Sequence, residues 1–223
     1  MIETGLGETK GANRFVGVVI AQPRHGYRFS SDSIALARFI RISSSESLLD
    51  MGTGVGVVPL LVWQRHRYRA ALGIELQQDL ANFAIRNVRE NGLSDKIFIV
   101  PGDLRTLAPE NIQLPLPSHR ESRFDVISAN PPYWTTGHGR VSPNPQKALA
   151  RHEIELTFDE LVAACQRFLR PGGRFYFVHV AERENDVVSS LEVHGFFILK
   201  KQYADGAARR TTLLVEAKKA NTF

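Results

Sequence analysis

The sequence predicts an α/β fold of the doubly wound, Rossmann-like kind: a seven-stranded, mostly parallel sheet with one antiparallel strand near its edge. Three observations predict it. Short apolar stretches alternate with segments of helical hydrophobic spacing along most of the chain. The first central strand pattern ends in a glycine-rich turn that opens a helix. The chain finishes on two consecutive strand patterns, which is where an antiparallel strand would enter the sheet.

The N-terminal part predicts an extension that precedes the sheet. Residues 15–21 (FVGVVIA) form a short apolar strand pattern. Ser31 or Asp32 can cap a helix whose apolar positions continue to Ile40. We therefore expect residues 1–13 to be a flexible tail and residues 14–223 a single domain, in which the strand and helix of residues 14–45 pack on the ligand site.

The strand–helix alternation begins at Leu48. The predicted strands are 48–51, 70–75, 97–100, 124–129, 174–180, 196–203 and 211–217. Helices are predicted between several of them, and a Thr157–Glu160 capping box starts one that the sequence Pro171-Gly172-Gly173 should end. Two Pro/Gly-containing segments, 107–122 and 134–148, interrupt the alternation and predict loops. Ligands on such a sheet bind at the carboxyl ends of the strands.

Composition narrows the class of protein. The 223 residues are 43% hydrophobic and 23% charged, which is typical of a globular protein. Neither an apolar membrane span nor a signal-peptide pattern is present, and the one cysteine, Cys165, excludes an internal disulfide. We therefore expect a cytoplasmic protein with no membrane partner.

Basic residues exceed acidic ones, which gives a net charge of +5. A phosphate-rich partner such as nucleic acid fits this excess, although a solvated surface on a basic enzyme explains it as well. The candidate contacts are Arg24, Arg28 and the cluster from Arg65 to Arg69.

A glycine-rich turn marks the first candidate ligand site. Asp50-Met51-Gly52-Thr53-Gly54-Val55-Gly56 joins a strand to a helix, and its glycines let the backbone turn sharply and approach a ligand. The spacing is G-x-G-x-G rather than the G-x-G-x-x-G of dinucleotide enzymes, so it fits a ligand without a pyrophosphate. A plain tight turn between strand and helix is the alternative explanation.

Two carboxylates follow the next two strands. Glu75, with Leu76 after it, lies about 20 residues beyond the glycines, where a carboxylate accepts hydrogen bonds from ribose hydroxyls. Asp103, followed by Leu104, ends the next strand and could accept from an adenine amino group. Either residue alone is more often a solvated carboxylate in a loop. The three successive strand ends together indicate a nucleoside-type ligand.

Asn130-Pro131-Pro132-Tyr133 follows the fourth predicted strand of the alternation. A planar amine is a poor nucleophile because its lone pair is delocalised. The Asn130 side-chain oxygen and the Pro131 carbonyl could bind both N–H groups and favour a pyramidal nitrogen, while the prolines keep these acceptors aimed. Tyr133 offers a face for stacking. A Pro-Pro turn with Asn in an Asx-turn is the structural alternative.

The sequence lacks the motifs of other common enzyme chemistries. The sequence contains no metal-ligand cluster of His, Cys and carboxylates, no G-x-S-x-G and no Walker motif, so we expect no metal.

These residues together resemble a known family. LLDMGTGVGVVPL, GIEL, GDL and FDVISANPPYW are similar to the class I S-adenosylmethionine-dependent amino-methyltransferases that carry N-P-P-Y. The segment from Gln22 to Ser33 and the later Ala150-Arg151-His152-Glu153 resemble the bacterial tRNA(Val) adenine-N6-methyltransferases, which modify the adenosine immediately 3′ of the anticodon. The resemblance covers nearly everything from Phe15 to Lys218, but the segment after Tyr133 departs from it.

The resemblance implies S-adenosyl-L-methionine as cofactor, S-adenosyl-L-homocysteine as product and RNA, most of all tRNA, as partner. Asn130, Pro131, Pro132 and Tyr133 would hold the target amine, and Asp32 would help to close the methionine end of the cofactor site. The other implied cofactor-binding residues are Asp50, Gly52, Thr53, Gly54, Gly56, Glu75, Leu76, Asp103, Leu104 and Asn130.

Two alternatives remain at this point. A protein-glutamine N5-methyltransferase of release factors shares N-P-P-Y, because an amide nitrogen poses the same chemical problem, but such enzymes carry an extra N-terminal helical domain. A non-catalytic, cofactor-binding RNA adaptor would retain the fold without needing an intact N-P-P-Y.

Overall fold

The structure is a computed structural model that describes residues 13–15, 17–25, 28–112, 123–131, 156–205 and 210–221. Strands and helices are numbered here in chain order. The strands are β1 Asn13–Phe15, β2 Val18–Ile20, β3 Ser47–Met51, β4 Ala70–Glu75, β5 Ile97–Pro101, β6 Phe124–Ala129, β7 Leu169–Val180, β8 Phe196–Asp205 and β9 Thr211–Lys219. The α-helices are α1 Ser31–Phe39, α2 Val57–His66, α3 Gln78–Glu90, α4 Phe158–Phe168 and α5 Glu184–Val193. Short 3-10 helices lie at Pro109–Asn111 and Ala181–Arg183.

Seven strands form the main sheet in the order β5-β4-β3-β6-β7-β9-β8. Strands β3 to β7 pair in parallel, and β9 runs antiparallel to both of its neighbours. The predicted doubly wound sheet with one antiparallel strand near its edge is therefore confirmed. Strand order reverses between β3 and β6, which is the switch point where such sheets bind ligands.

Two hydrophobic cores cover the two faces of the sheet. Helices α1, α2 and α3 pack on one face and α4 and α5 on the other. Neighbouring strand residues alternate between the cores: Leu48 belongs to the first and Leu49 to the second. Both are fully buried, as expected for a parallel strand that is covered on both faces.

The structure corrects two boundaries of the sequence prediction. The single strand expected over 15–21 is a hairpin, because Gly17 takes a φ of 84° and lets β1 fold back against β2 in a separate two-stranded sheet. The sequence Pro171-Gly172-Gly173 does not end the preceding helix. That helix ends at Phe168, and β7 begins at Leu169, which pairs with Phe124 before a bulge in the ladder.

Ser30, rather than Ser31 or Asp32, caps α1, and the remaining boundaries agree closely with expectation. The Thr157–Glu160 capping box is present, with the Thr157 side chain accepting from Glu160 N and the Glu160 side chain accepting from Thr157 N. The loop expected over 107–122 contains the 3-10 turn Pro109–Asn111, and residues 113–122 lie outside the described residues, as does the loop expected over 134–148.

Candidate functional site

The candidate site lies where four adjacent parallel strands end. Met51 of β3 pairs with Ile74 of β4 on one side and with Ala129 of β6 on the other, and Glu75 pairs with Pro101 of β5. Glu75 is the last residue of β4, and the loops that follow the other three strands carry the glycines, Asp103 and Asn130. Adjacent strands are about 4.8 Å apart, so the predicted site residues meet at one edge of the sheet.

The glycine-rich turn has the backbone that its sequence predicts. Gly52, Gly54 and Gly56 have φ values of 70°, 57° and 83°, a region that L-residues rarely adopt. An ideal Cβ built on Gly52 would meet no heavy atom within 4 Å, so the backbone there is open to a ligand. This turn fits the close approach of a cofactor.

The same turn is fastened to the end of β4. The backbone N–H groups of Gly52 and Thr53 both donate to the Ile74 carbonyl, at 2.9 and 3.0 Å. Thr53 packs over Gly73, where an added Cβ would come within 2.8 Å of the threonine methyl. The absence of a side chain at Gly73 therefore allows the turn to lie directly on β4.

Glu75 occupies the base of the site and is 6% exposed. Its Oε2 accepts from Gly54 N at 2.8 Å and its Oε1 from Gln77 N at 2.9 Å. Burial raises the pKa of this carboxyl group, while the backbone donors oppose the rise. Each carboxylate oxygen can accept more than one hydrogen bond, so Glu75 can hold the turn and still accept from a ligand hydroxyl.

Asp50 is buried beneath the turn at the end of β3. Its Oδ1 accepts from the Ser128 hydroxyl at 2.6 Å, which joins β3 to β6. Burial raises the pKa of Asp50 to about 7, against an ordinary 3.8, with hydrogen bonds opposing the rise. The carboxyl group is thus close to its protonation midpoint at neutral pH.

Asp103 differs from the two buried carboxylates because Arg105 holds it. The Arg105 guanidinium donates to both of its oxygens, with the shortest distance 2.6 Å, and this hydrogen bonding lowers the pKa of Asp103. Leu104 is buried in the second core, whereas Leu76 is 39% exposed after β4.

Asn130 follows β6 and reaches across to α1. Its Nδ2 donates to the Ser33 hydroxyl oxygen at 2.9 Å. Ser33 and the neighbouring Asp32 are each 3% exposed, in the first turn of α1. Pro131 is described and half-buried beside Asn130. Pro132, Tyr133 and the Arg151-His152-Glu153 segment lie outside the described residues.

The N-terminal segment before α1 is attached to the glycine-rich turn through Asn87 of α3. This fully buried side chain accepts from Ala21 N at 2.8 Å, and its Nδ2 donates to Ala21 O at 2.9 Å and to Val55 O at 2.8 Å. Asn87 therefore joins Ala21 to the turn at Val55, while Ser33 of α1 contacts Asn130.

Ser33, Asn87 and Ser128 were missed by sequence reasoning. Each acts on a residue that is 32 to 97 positions away along the chain. No spacing rule connects side chains at such separations, so only the folded structure identifies these three contacts.

The candidate RNA-contacting residues form two groups along the chain. Arg24 and Arg28 lie in sequence between Ala21, which binds Asn87, and Ser33, which contacts Asn130. Arg65 donates to the Ala37 and Arg38 carbonyls, and Arg69 lies 3.8 Å from Asp125 at the start of β6. The Arg65 to Arg69 cluster is thus at the amino ends of the strands, away from the candidate site.

The described part of the chain holds neither a cluster of metal ligands nor a helix that could span a membrane. Within 13–15, 17–25, 28–112, 123–131, 156–205 and 210–221, no group of three or more His, Cys, Asp or Glu residues could hold a metal ion. In that same part of the chain, no helix has the length and hydropathy needed to cross a bilayer.

Comparison with curated proteins identifies sequence relatives over most of the chain, although no family model matches it. The tRNA1(Val) (adenine(37)-N6)-methyltransferase of Tolumonas auensis is 28% identical over 204 residues, which cover 90% of this chain and 80% of that protein. The protein of the same name from Dyadobacter fermentans is 29% identical over 162 residues, or 73% of this chain and 62% of that protein.

Comparison with solved structures identifies chains of similar fold. TrmN from Thermus thermophilus aligns with a TM-score of 0.59 and 20% identity over 83% of this chain and 48% of that one. TYW2 from Pyrococcus horikoshii, solved with MeSAdo, aligns with a TM-score of 0.63 and 14% identity over 92% and 69%. At these identities the likeness concerns the fold.

Proposed function

Because this chain is an S-adenosylmethionine-dependent methyltransferase of class I, we propose that it methylates N6 of adenine in RNA. The proposed substrate is tRNA, and the proposed target is the adenosine next to the anticodon. The names of the curated relatives support this substrate. The observation that supports the reaction is the pairing of Ala129 with Met51, because Asn130 directly follows Ala129 and the glycine-rich turn directly follows Met51.

Residues of the glycine-rich turn and the next two strand ends are the proposed cofactor site. Gly52, Gly54 and Gly56 would lie along the methionine side, with Asp50 and Thr53 beneath them and Asp32 at the methionine end. Glu75 would accept from the ribose, Asp103 from the adenine amino group, and Leu76 and Leu104 would line the adenine side. When bound, the cofactor supplies an electrophilic methyl group on a sulfonium.

Asn130 and Pro131 are the proposed acceptor-binding groups. The N6 amine of adenine has two N–H donors, and a side-chain oxygen and a backbone carbonyl can accept one each. This would draw the nitrogen out of the ring plane and free its lone pair for attack. Pro132 and Tyr133 would complete the site, with the tyrosine ring stacking on the base.

We also propose that the reaction takes place in the cytoplasm and requires no metal, and that residues 14–223 form a single domain preceded by a tail. Residues 14–45 would cover the cofactor site, and the Asn87 and Ser33 contacts support this arrangement.

Transfer of a radiolabelled methyl group tests the proposed acceptor. Purified protein is given labelled cofactor with total tRNA, total rRNA, DNA or protein extract from a strain that lacks the gene. We expect label in tRNA, recovered after nuclease digestion as N6-methyladenosine. Label in protein would instead support the glutamine methyltransferase, and cofactor binding without transfer to any pool would support the adaptor.

Asn130→Ala tests the proposed acceptor-binding role. Loss of one preorganised hydrogen-bonding group typically lowers the rate about 10²–10³-fold, so single-turnover methylation should fall by that order while Tm changes little. An Asx-turn role for Asn130 predicts the reverse, a lower Tm with activity reduced only in proportion. Near-normal methylation by Asn130→Ala would contradict the mechanism.

A further inference from the structure

Ser33 makes a polar contact with the proposed acceptor-binding side chain. Its hydroxyl oxygen accepts from Asn130 Nδ2 at 2.9 Å, across 97 residues of sequence. Ser33 is 3% exposed and lies in the first turn of α1, which begins at the Ser30 cap, where the Ser30 hydroxyl oxygen accepts from Asp32 N at 3.2 Å. The contact therefore joins two ordered elements rather than two surface side chains.

The two ends of the Asn130 amide are chemically different. The oxygen accepts hydrogen bonds, whereas the NH2 group can only donate and cannot bind the N–H groups of an amine. In the observed arrangement the NH2 end is the one that Ser33 engages. The opposite end, the oxygen, is the one that the proposed reaction requires for the acceptor.

We propose that Ser33 is a positioning residue that holds the Asn130 amide in its acceptor-binding orientation. The inference rests on the proposed function, because it assigns Ser33 a part in the methyl transfer through Asn130. Ser33 itself touches neither reactant in this role. Its removal would leave the NH2 group of Asn130 without this partner and allow the amide to turn its donor end toward the amine.

The role of Ser33 predicts a particular pattern of kinetic change. A hydrogen bond of this kind contributes roughly a factor of ten, so Ser33→Ala should lower the single-turnover rate at saturating substrate about tenfold. The dissociation constant of S-adenosylhomocysteine should stay within about twofold, because Ser33→Ala leaves the glycine-rich turn, Glu75 and Asp103 unchanged. Ser33→Thr keeps the hydroxyl and should restore most of the rate.

Ser47→Ala is the matched control. Ser47 is also fully buried and its hydroxyl donates to Asp125 Oδ2 at 2.8 Å across 78 residues, but it lies at the start of β3, at the far end of the sheet. Ser33→Ala loses the hydrogen bond with Asn130, and Ser47→Ala loses the two that its hydroxyl makes with Asp125, so both should lower Tm. Only Ser33→Ala should lower the methylation rate at a temperature where all variants are folded.

The outcomes separate this inference from the proposed function. The rates are measured on whichever pool the wild-type protein methylates, since tRNA and protein amides both present a planar nitrogen. Wild-type activity on protein alone overturns the tRNA assignment. The ratio of the Ser33→Ala rate to the wild-type rate then remains the test of positioning. A wild-type rate in Ser33→Ala, or a loss matched by Ser47→Ala, overturns the positioning role. Absence of any transfer by the wild type overturns both.

Discussion

Asp50 is the residue whose ionisation has the clearest consequence for stability. Its folded-state pKa of about 7 lies above the ordinary 3.8, so the folded protein keeps this proton over a range of pH in which the unfolded chain releases it. Folding stability from this group is therefore lost as pH rises from about 4 to 7. At 1.36 kcal/mol per unit of pKa, the loss is at most about 4 kcal/mol.

Asp50→Asn should consequently raise the Tm of the cofactor-free protein at pH 8 and change it much less at pH 4.5. Asparagine retains an oxygen that can accept from the Ser128 hydroxyl but cannot ionise. Thermal unfolding of wild type and variant across this pH range measures the difference. Asp95→Asn, at a side chain that is 74% exposed, controls for the substitution itself. An equal Tm change at both pH values would contradict the burial argument.

Single residues with a local conformational reason were predictable from the sequence. Gly52, Gly54 and Gly56 all take the positive φ that their spacing suggested. The contact between Arg105 and Asp103 could also have been predicted, since the two residues lie two positions apart in one loop. Ser33 was not, because its importance depends on Asn130, which joins it only when β6 enters the sheet.

At the scale of elements, two asparagines one turn apart attach the N-terminal segment to the body of the protein: Asn87 in α3 and Asn91 directly after it. Asn87 binds Ala21 and Val55, as described above. Asn91 accepts from Val19 N at 3.0 Å, and its Nδ2 lies 2.7 Å from the carbonyl oxygens of Val19 and Asn87. The two side chains have similar partners, but only Asn87 contacts the glycine-rich turn.

Asn87→Ala should lower both stability and cofactor affinity. It leaves buried backbone groups of Ala21 and Val55 without their partner, at roughly 1–3 kcal/mol for each such group. Asn91→Ala should lower Tm as well but leave the affinity for S-adenosylhomocysteine close to that of the wild type. Calorimetric titration at a temperature where both variants are folded measures this. Equal losses of affinity would mean that Asn87 does not support the turn.

Element types were predictable where local pattern and tertiary pairing agree, as in the capping box at Thr157. Boundaries failed where pairing prevailed over local pattern. Leu169 belongs to β7, ahead of Pro171, because it pairs with Phe124 of β6. The turn at Gly17 was not predicted because the apolar sequence around it is equally compatible with one continuous strand.

At the scale of the whole molecule, the effect of a basic residue on RNA binding should depend on the end of the sheet at which the residue lies. Arg28 is exposed in the segment beside the site, and Arg123 is exposed just before β6, at the opposite end. Because phosphate contacts release counterions, Arg28→Glu should weaken RNA binding and change the slope of log affinity against log salt by about 1.

Arg123→Glu makes the same change of charge and should affect RNA binding much less. Filter binding of tRNA between low and moderate salt compares the two variants at equal net charge. Equal effects would mean that RNA also contacts the amino ends of the strands, where the Arg65 to Arg69 cluster lies. The sequence predicted that cluster as a candidate because composition reports charge but not the end of the sheet that carries it.

The pairing of β3 with β6 also determines when the site can form during synthesis. Asp50 and Ser128 are 78 residues apart, and Ser33 and Asn130 are 97 apart. A nascent chain that has emerged only as far as β5 already contains the glycine-rich turn. The edge of β3 that pairs with β6 is then open to solvent or chaperones, although the leucines of β3 are fully buried in the folded protein. The long loop closure that brings β6 against β3, a slow kind of step, therefore adds the fourth strand and brings Asn130 to the glycine-rich turn in a single event.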